Sequence, residues 1–352
     1  MKLVYHGPFW TGSTALQRLE AFKATPGLTV IGHDAGTAPT DVATLGQRLA
    51  WRLGRPIDVA RERARLLALV AQARPDAVLI DSSKVFDLKD LAALRAHGAQ
   101  LLAYYTPDDP LNPRNLKVPV RATLSDWDVF FTTKTFNLPE LAARGVRQPV
   151  LVGKAYDPAL HRPLDRAAVG KEFERFDLVF VGAFEAERAR TLNRLAESGL
   201  SLVVYGGAIG GWPPGGLHPA ITLRPAVFGQ AYVRALHHGR LALGFLRRQN
   251  RDRITQRSLE ITASARPMLA EKTDEHDAHF EDGVEYVGFT DDDQLVGLAR
   301  RYLSDPVARR ALGACARRRC LSSGYSTIDR ARQISAVLEA ALAGQTRPAI
   351  SG

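Results

Sequence analysis

The amino-acid sequence predicts two doubly wound α/β domains in tandem, each a parallel sheet with helices on both faces. With 352 residues, the chain is longer than a single hydrophobic core usually serves. Short apolar runs alternate with helical stretches, which is typical of parallel sheets wrapped by helices. Prolines and charges interrupt this alternation over residues 154–174, and a second alternating series follows. We therefore expect one domain on each side of that interruption.

The first series predicts a Rossmann-like domain over residues 1–153. Its apolar runs predict strands at 3–6, 28–32, 77–80, 101–105, 129–132 and 150–152. The stretches between them predict helices at 14–24, 59–73, 88–96 and 138–144. In such sheets ligands collect beyond the carboxyl ends of the strands, so functional residues are expected in the loops that follow them.

The second series predicts another Rossmann-like domain over residues 177–326, after a linker at 154–176. Its strands are predicted at 178–181, 202–205, 221–223, 241–245, 268–270 and 284–287. Its helices are predicted at 185–197, 230–237, 256–263, 291–303 and 306–318. A last helix at 327–343 is long enough to pack back on the first domain. Residues 327–352 are therefore expected to form that helix and a loose tail.

The composition is that of an ordinary globular protein, with 45% apolar and 24% charged residues. The opening MKLVYHGPFW is too short and interrupted for a signal peptide, and no window is apolar enough for a membrane span. The only cysteines, Cys315 and Cys320, lie five apart on a predicted helix and indicate neither a disulfide framework nor a metal site. We expect a cytoplasmic protein.

The formal net charge of +10 raises the question of an anionic partner. The excess is mostly arginine spread along many helices, and it is densest between Arg48 and Arg74. This region is interpreted either as a solvated helix face or as a surface that binds an anionic partner. That partner would be the inner face of an anionic membrane or an acidic acceptor. Nucleic-acid binding is disfavoured because aromatic residues are not interleaved with the arginines.

The first predicted strand runs into the loop GPFWTGST. Gly7 and Gly12 permit a close backbone approach, and Ser13 can cap the following helix. The loop is either an ordinary strand-to-helix turn or part of the lining of a cleft. It lacks the glycine spacing of a dinucleotide fingerprint, so a nicotinamide-dependent enzyme is disfavoured.

Two adjacent carboxylates follow the strand at 101–105, in the segment TPDDP. Asp108 and Asp109 are candidates for a catalytic base, since activating an acceptor hydroxyl requires a positioned proton acceptor. Aspartate is also common in turns, where its side chain accepts backbone hydrogen bonds. Both interpretations stay open at this point.

The strongest constellation is NRDRITQRSLE, which follows a buried strand. Thr255 can cap a helix whose spacing allows Arg253, Arg257 and Glu260 to share one face, and Asn250 lies just before it. A nucleoside diphosphate sugar needs such groups, because guanidinium groups neutralise the diphosphate and a carboxylate accepts hydrogen bonds from the ribose. The alternative is a surface ion pair worth about 0.2–0.5 kcal/mol.

Other loops at carboxyl ends of the second domain add candidate donor-binding residues. Gly182 ends a strand, and Arg188 lies in the first turns of the next helix, where it can approach a diphosphate. Thr273 closes the loop 271–273. Tyr205 and Gly206 begin the segment 205–208, which with 225–228 is expected to line a base pocket through backbone groups.

In these segments the chain resembles the CgeB-like group of bacterial glycosyltransferases, named for a spore maturation protein. The resemblance is most specific in FLRRQNRDRITQRSLEITASARPMLAEKTDEHDAHFEDGVEYVGF and in FVGAFEAERARTLNRL. It implies the GT-B fold, with two Rossmann-like domains facing a central cleft. It also implies a nucleotide-sugar donor on the C-terminal domain, with no cofactor and no obligatory metal.

The resemblance also implies roles for individual residues. Glu260 corresponds to the acidic residue that contacts the ribose, and Asn250, Arg253 and Arg257 correspond to groups that serve the diphosphate. Ile254 departs from the pattern, which has a polar residue, often histidine, before the threonine.

The resulting hypothesis is a glycosyltransferase that binds the donor on the second domain and an unknown hydroxyl-bearing acceptor, a glycan, lipid or protein, on the first. A nucleotide-sugar epimerase of the same fold is one alternative, since it would process the donor without an acceptor. A non-catalytic nucleotide-sugar-binding module is another, because a fold does not dictate a function.

Overall fold

The structure is a computed structural model that describes residues 1–36, 43–207 and 211–344. It divides into two compact units, one formed by Met1–Gly153 with the chain from Thr327 onward, the other by Lys154–Ser326. Each unit contains one six-stranded parallel sheet with helices around it. The predicted α/β class with two Rossmann-like sheets is confirmed. Ala208 and the predicted tail after residue 344 lie outside the described residues.

The first unit is built on six strands, most of which have largely buried side chains. The strands are β1 (Lys2–Gly7), β2 (Thr29–Asp34), β3 (Ala77–Asp81), β4 (Leu101–Thr106), β5 (Val129–Thr132) and β6 (Pro149–Leu151). The helices are α1 (Thr14–Lys23), α2 (Leu45–Arg52), α3 (Glu62–Ala73), α4 (Leu88–Ala96), α5 (Val118–Arg121) and α6 (Asn137–Ala142). The strand order β2-β1-β3-β4-β5-β6 reverses direction between β1 and β3, which is where doubly wound sheets bind ligands.

The second unit repeats this architecture with a different strand order. Its strands are β7 (Phe176–Val181), β8 (Leu202–Gly206), β9 (Thr222–Pro225), β10 (Gly239–Gly244), β11 (Met268–Glu271) and β12 (Val287–Phe289). Its helices are α7 (Arg166–Val169), α8 (Ala186–Glu197), α9 (Gly229–Leu236), α10 (Gln256–Ala263), α11 (Asp274–His279), α12 (Asp292–Ser304) and α13 (Pro306–Ser322). The order β12-β11-β10-β7-β8-β9 reverses between β7 and β10.

The last helix, α14 (Thr327–Leu342), belongs to the first unit although it follows the second along the chain. Its Ile334 and Leu338 are fully buried in the same apolar cluster as Phe22 of α1. Gln333 Nε2 also donates to the carbonyl oxygen of Leu151, at 3.0 Å. The first sheet is thus covered on one face by a helix from the far end of the sequence.

The segment 154–176 packs on the second unit. Tyr156 is part of one of that unit's apolar clusters, and His161 is almost completely buried. Asp165 caps the short helix α7 by accepting a hydrogen bond from Ala168 N, at 2.9 Å. The segment therefore contributes buried side chains as well as connecting the two units.

The short helices α5, α7 and α11 are not among the predicted elements, and three further differences have local reasons. The helix expected from residue 59 begins at Glu62, because Arg61 adopts a left-handed backbone conformation (φ 53°) and Asp58 binds the amides of the first turn. Helix α2 was not expected, since all of its side chains are at least partly exposed and none forms a core-facing stripe. The strand expected at 284–287 is instead Val287–Phe289, preceded by a turn at Gly283.

Candidate functional site

The candidate donor site lies where β7 and β10 end side by side. Arg188 of α8 connects the loops that follow these two strands. Its Nη1 donates to Ala183 O at 3.0 Å and its Nη2 to Leu246 O at 2.7 Å. Burial lowers the pKa of Arg188, and Glu185 at 3.2 Å supplies a counter-charge. The guanidinium group therefore orders both loops of the site while staying largely buried.

Two glycines allow the ends of β7 and β8 to approach closely. A Cβ atom on Gly206 would lie 2.5 Å from Gly182 O and 2.4 Å from Trp212 Nε1. Trp212 Nε1 donates a hydrogen bond to Gly182 O at 2.8 Å, so these two groups already occupy the space that a Cβ atom would need. The hydroxyl of Tyr205, next to Gly206, is hydrogen-bonded to His238 Nδ1 at 2.5 Å and accepts a hydrogen bond from Arg224 Nη1 at 3.0 Å.

We predict that Gly206→Ala destabilises the second unit by about 1–3 kcal/mol, because overpacking displaces neighbouring backbone. Amide hydrogen exchange at the ends of β7 and β8 measures the effect. Gly297→Ala is the matched control, since a Cβ atom there meets nothing within 4 Å. Equal protection in the two variants would contradict the prediction.

Helix α10 begins as its sequence predicts. Thr255 is the N-cap and forms a reciprocal capping box with Ser258. Ile254, which stands where the resemblance has a polar residue, is buried in an apolar cluster of the second unit. The side chain before the cap thus anchors the helix start by packing and offers no polar group to a ligand.

Glu260 lies on the second turn of α10 and is mostly buried. His161 Nε2 lies 3.8 Å from Glu260 Oε1, and the Tyr232 hydroxyl is a second titratable neighbour of this carboxylate. Asp157 N donates to His161 Nδ1 at 2.9 Å, so the ring proton of a neutral His161 is on Nε2 and faces the carboxylate. At 3.8 Å this contact is longer than a hydrogen bond, so the Glu260 carboxylate retains capacity to accept hydrogen bonds from a ligand.

Arg257 lies one turn before Glu260 and reaches the end of β7. Its Nε donates to Val181 O, and its guanidinium carbon lies 5.6 Å from the centre of the Tyr232 ring. Burial, together with Glu260, raises the pKa of Tyr232, so this hydroxyl stays protonated. Arg257 and Glu260 are therefore adjacent, with Tyr232 beside both.

Arg253 occupies a different position, on the surface before the cap. Its Nη1 forms an ion pair with Asp274 at 2.7 Å, and nearly half of its side chain is exposed. Thr273 caps α11 and also donates to the carbonyl oxygen of Arg253. The structure thus places Arg253 and Thr273 together, whereas Arg257 and Glu260 form a separate, more buried pair. Asn250 is buried beside Asp252, to which its Nδ2 donates at 3.1 Å.

A cavity of about 600 Å³ opens among the loops after β7, β10, β11 and β12. It includes Arg188 and Arg253 from the predicted set. Its lining within the described part of the chain does not include Asn250, Arg257 or Glu260. Glu271 and Lys272 of the predicted loop 271–273 also line it, together with Arg248 and Arg251, which were not among the predicted site residues. Burial raises the pKa of Glu271, whose carboxylate accepts a hydrogen bond from Leu246 N.

In the first unit the predicted loop residues have structural roles. Gly7 ends β1, Gly12 adopts a left-handed conformation (φ 91°), and Ser13 caps α1 by accepting from Leu16 N at 3.0 Å. Asp109 is buried, and its Oδ1 accepts from Leu111 N at 3.0 Å and from Asn137 Nδ2 at 3.1 Å.

Asp108 is half-buried. Its backbone N–H donates to Thr106 Oγ1 at 3.2 Å, and this hydrogen bond holds the turn.

Asp81, at the end of β3, forms a buried ion pair with Arg18 of α1. The carboxylate accepts from Arg18 Nε at 2.8 Å, from the Tyr5 hydroxyl and from Ser82 Oγ at 2.7 Å. Burial, with Asp81 next to it, raises the pKa of Tyr5. The ion pair therefore ties α1 to the centre of the first sheet.

Comparison with known proteins gives a match to one family model, which covers most of the second unit and the beginning of α14. Residues 187–336 match a family model described as "Glycosyl transferase-like". The matched stretch contains Arg188, Asn250, Arg253, Arg257 and Glu260. No curated protein matches the chain in sequence.

Solved structures of similar fold span almost the whole chain. Sucrose-phosphate synthase from Thermosynechococcus elongatus is 13% identical, with a TM-score of 0.71 over 98% of this chain and 100% of that one. Anabaena HepE in complex with UDP-glucose is 13% identical, with a TM-score of 0.65 over 97% of this chain and 100% of that one. A putative UDP-N-acetylglucosamine 2-epimerase from Listeria monocytogenes is 15% identical, with a TM-score of 0.58 over 99% of this chain and 98% of that one. These likenesses confirm the predicted GT-B fold.

Proposed function

We propose that the chain is a glycosyltransferase that moves a sugar from a nucleotide-activated donor to a hydroxyl-bearing acceptor. The observation that carries this proposal is the match of residues 187–336 to the glycosyl transferase-like family, because it contains most of the predicted donor-binding residues. The fold neighbour HepE, crystallised with UDP-glucose, supports a nucleotide sugar as the donor class. The CgeB-like resemblance supports the same class.

In this proposal Glu260 accepts hydrogen bonds from the ribose hydroxyls, and Arg257 beside it stabilises the diphosphate. Arg188 holds the two loops that meet at the switch point and contributes its charge to the same region. Positive charge there also stabilises the departing nucleoside diphosphate, so these contacts act in the transition state as well as in binding. With arginines in this role, the proposed reaction requires no metal.

Thermal shift across nucleotides and nucleotide sugars tests the proposal. A donor present at 100 times its Kd stabilises the folded protein by about 2.7 kcal/mol, so Tm rises. The free sugars and inorganic diphosphate are the controls, since neither carries the ribose that Glu260 is proposed to bind. A panel in which no nucleotide or nucleotide sugar raises Tm more than these controls would argue against the proposal.

An epimerase is the second candidate function, favoured by the fold likeness to the Listeria protein. The two activities differ in their products. Incubation with the donor alone would give an altered nucleotide sugar from an epimerase, whereas a transferase releases nucleoside diphosphate when it is given an acceptor. A binding module would shift Tm with a nucleotide sugar and yield neither product.

We also propose a peripheral contact between the first unit and an anionic membrane. Six large apolar side chains between residues 45 and 59 are exposed, namely those of Leu45, Leu49, Trp51, Leu53, Ile57 and Val59. Leu45, Leu49 and Trp51 lie on α2 with Arg48 and Arg52, a composition typical of helices in a membrane interface, and Arg55 follows the helix. Within the described residues, no helix combines the length and apolar character that a membrane span needs.

We expect the protein to sediment with vesicles containing phosphatidylglycerol but not with phosphatidylcholine vesicles. The double variant Leu45→Asp/Leu49→Asp should lose this binding, because it removes apolar area and adds repulsion. Leu321→Asp, on an exposed position of the second unit, is the control and should retain it. Sedimentation that is equal for all three proteins would contradict the proposed contact.

A further inference from the structure

A second cavity, of about 790 Å³, lies wholly in the first unit. It is lined by the loops that follow β1, β2 and β3, represented by Pro8, Ala35 and Ser82–Val85. These are the carboxyl ends on both sides of the point where the strand order reverses, which is the usual ligand position in a doubly wound sheet. The cavity is therefore placed to bind a ligand of its own.

Glu62, the first residue of α3, lines this cavity with a largely buried carboxylate. His6 Nε2 lies 2.7 Å from Glu62 Oε2, and Ser83 Oγ donates to the same oxygen at 3.1 Å. Within the described residues, both hydrogen bonds to this carboxylate end on Oε2. Oε1 is thus the oxygen that remains for a ligand.

Behind Glu62, two buried histidines continue the hydrogen-bonded chain. His6 Nδ1 lies 2.8 Å from His33 Nδ1. Burial, together with His6 and Arg65, lowers the pKa of His33 to about 4, so His33 is neutral near pH 7. When His6 is protonated, its two N–H groups therefore have acceptors in Glu62 and in the lone pair of His33. The hydrogen-bonded chain thus connects the Glu62 carboxylate with two imidazole rings.

The backbone on both sides of the cavity is held in an unusual conformation. Arg61, just before Glu62, and Ser82, just after Asp81, have left-handed φ angles of 53° and 62°. Asp58 fixes the first of these turns by accepting from Glu62 N at 2.7 Å. Such conformations in residues other than glycine persist where their surroundings fix them, and they cluster at functional sites.

The walls of the cavity define the chemistry of its ligand. Trp51, Ile57 and Val59 form an apolar side and are themselves 45–60% exposed. Arg48 and Arg52 line the same cavity and add positive charge. A ligand that fits all of these groups has an apolar portion, a negatively charged group and a hydroxyl that reaches Glu62.

We infer that this cavity binds the acceptor, and that the acceptor is an anionic amphiphile whose hydroxyl is hydrogen-bonded to Glu62. The inference rests on the proposed transferase function. In the transfer, the hydroxyl oxygen forms a bond to the anomeric carbon, and the bond from that carbon to the diphosphate oxygen breaks. The electron pair of that bond leaves on the nucleoside diphosphate, and the hydroxyl proton moves to the Glu62–His6 pair.

A short-chain lysophosphatidylglycerol, used below its micelle concentration, is the probe, since it combines an acyl chain, a phosphate and free hydroxyls. Calorimetry should show binding to the wild type and at least about 10-fold weaker binding to Val59→Asp, which places a charge on the apolar wall. Glycerol phosphate, which lacks the chain, should not bind measurably. Val59 is exposed, so this variant is expected to fold.

Turnover with the nucleotide sugar that raises Tm most tests the role of Glu62. Nucleoside diphosphate release, with the probe or with water as acceptor, should fall at least about 100-fold in Glu62→Gln, because the amide accepts the same hydrogen bonds but no proton. Donor affinity should change little. Glu20→Gln, an exposed position on α1, is the matched control, and Asp108→Asn tests the base predicted from the sequence.

Several results would overturn the inference while leaving the proposed function intact. In the binding experiments, these results are binding of the donor without any binding of the probe, and probe binding that Val59→Asp does not weaken. In the turnover experiments, they are normal release of nucleoside diphosphate by Glu62→Gln, and loss of that release only in Asp108→Asn. Absence of release from the wild type with probe and with water would overturn the proton-accepting role. Failure of every nucleotide sugar to bind counts against the proposed function instead, and the calorimetry with the probe still tests the cavity.

Discussion

Replacing Glu260 with alanine is expected to weaken donor binding by at least about 100-fold. Hydrogen bonds to a charged group contribute about 1.5–3 kcal/mol each, so two bonds to the ribose hydroxyls would together contribute about 3–6 kcal/mol. The carboxylate is mostly buried and is not engaged in a short hydrogen bond with His161, so its acceptor capacity is available to the ligand.

Calorimetric titration with the nucleotide that gives the largest thermal shift measures this effect. Glu197→Ala is the control, because Glu197 is an exposed residue at the end of α8 in the same unit. Glu260→Gln should lie between the wild type and the alanine variant, since its amide oxygen still accepts but carries no charge. An alanine variant that binds the donor as tightly as the wild type would show that Glu260 is not a ribose contact.

Replacing Asp81 with alanine is expected to cost the first unit about 3–5 kcal/mol of unfolding free energy. The substitution leaves the Arg18 guanidinium buried without its counter-charge, and it removes the acceptor of the Tyr5 and Ser82 hydroxyls. The loss should be large because both members of the ion pair are more than nine-tenths buried.

Hydrogen exchange in β1 and β3 is the suitable measurement, because it reports on the first unit separately from the second. The double variant Arg18→Met/Asp81→Ala should lose less protection than Asp81→Ala alone, since no uncompensated charge remains. Glu20→Ala removes an exposed ion pair with Lys23 and should have no measurable effect. Protection in Asp81→Ala equal to that in Glu20→Ala would refute the expected cost.

The sequence predicted the central strands of both sheets because their side chains are buried on both faces, which produces continuous apolar runs. The edge strands β2 and β9 are more exposed. The run 77–80 and the observed β3 differ by a single residue. Helix α2 carries no such signal, since its apolar residues face outward. The start of α3 depended on a left-handed residue, Arg61, and an arginine gives no indication of that conformation in a sequence.

The candidate sites were predicted less completely than the fold, because their parts are distant along the chain. Thr255 and Glu260 belong to one motif and could be identified from spacing. His161 lies about one hundred residues before Glu260, in a segment expected to be a linker. His6, His33 and Glu62 meet only because β1 pairs with β2 and α3 begins beside them, and no local pattern encodes that arrangement.

The position of α14 has a consequence for biosynthesis. The strands of the first unit are translated before the second unit, whereas the helix that covers Phe22 and the neighbouring apolar surface is translated after it. During synthesis of the whole intervening unit, that surface stays open to solvent and to chaperones. The first unit can therefore complete its core only after the second unit has been translated, and a nascent chain stalled before residue 327 would carry a complete sheet with an uncovered hydrophobic face.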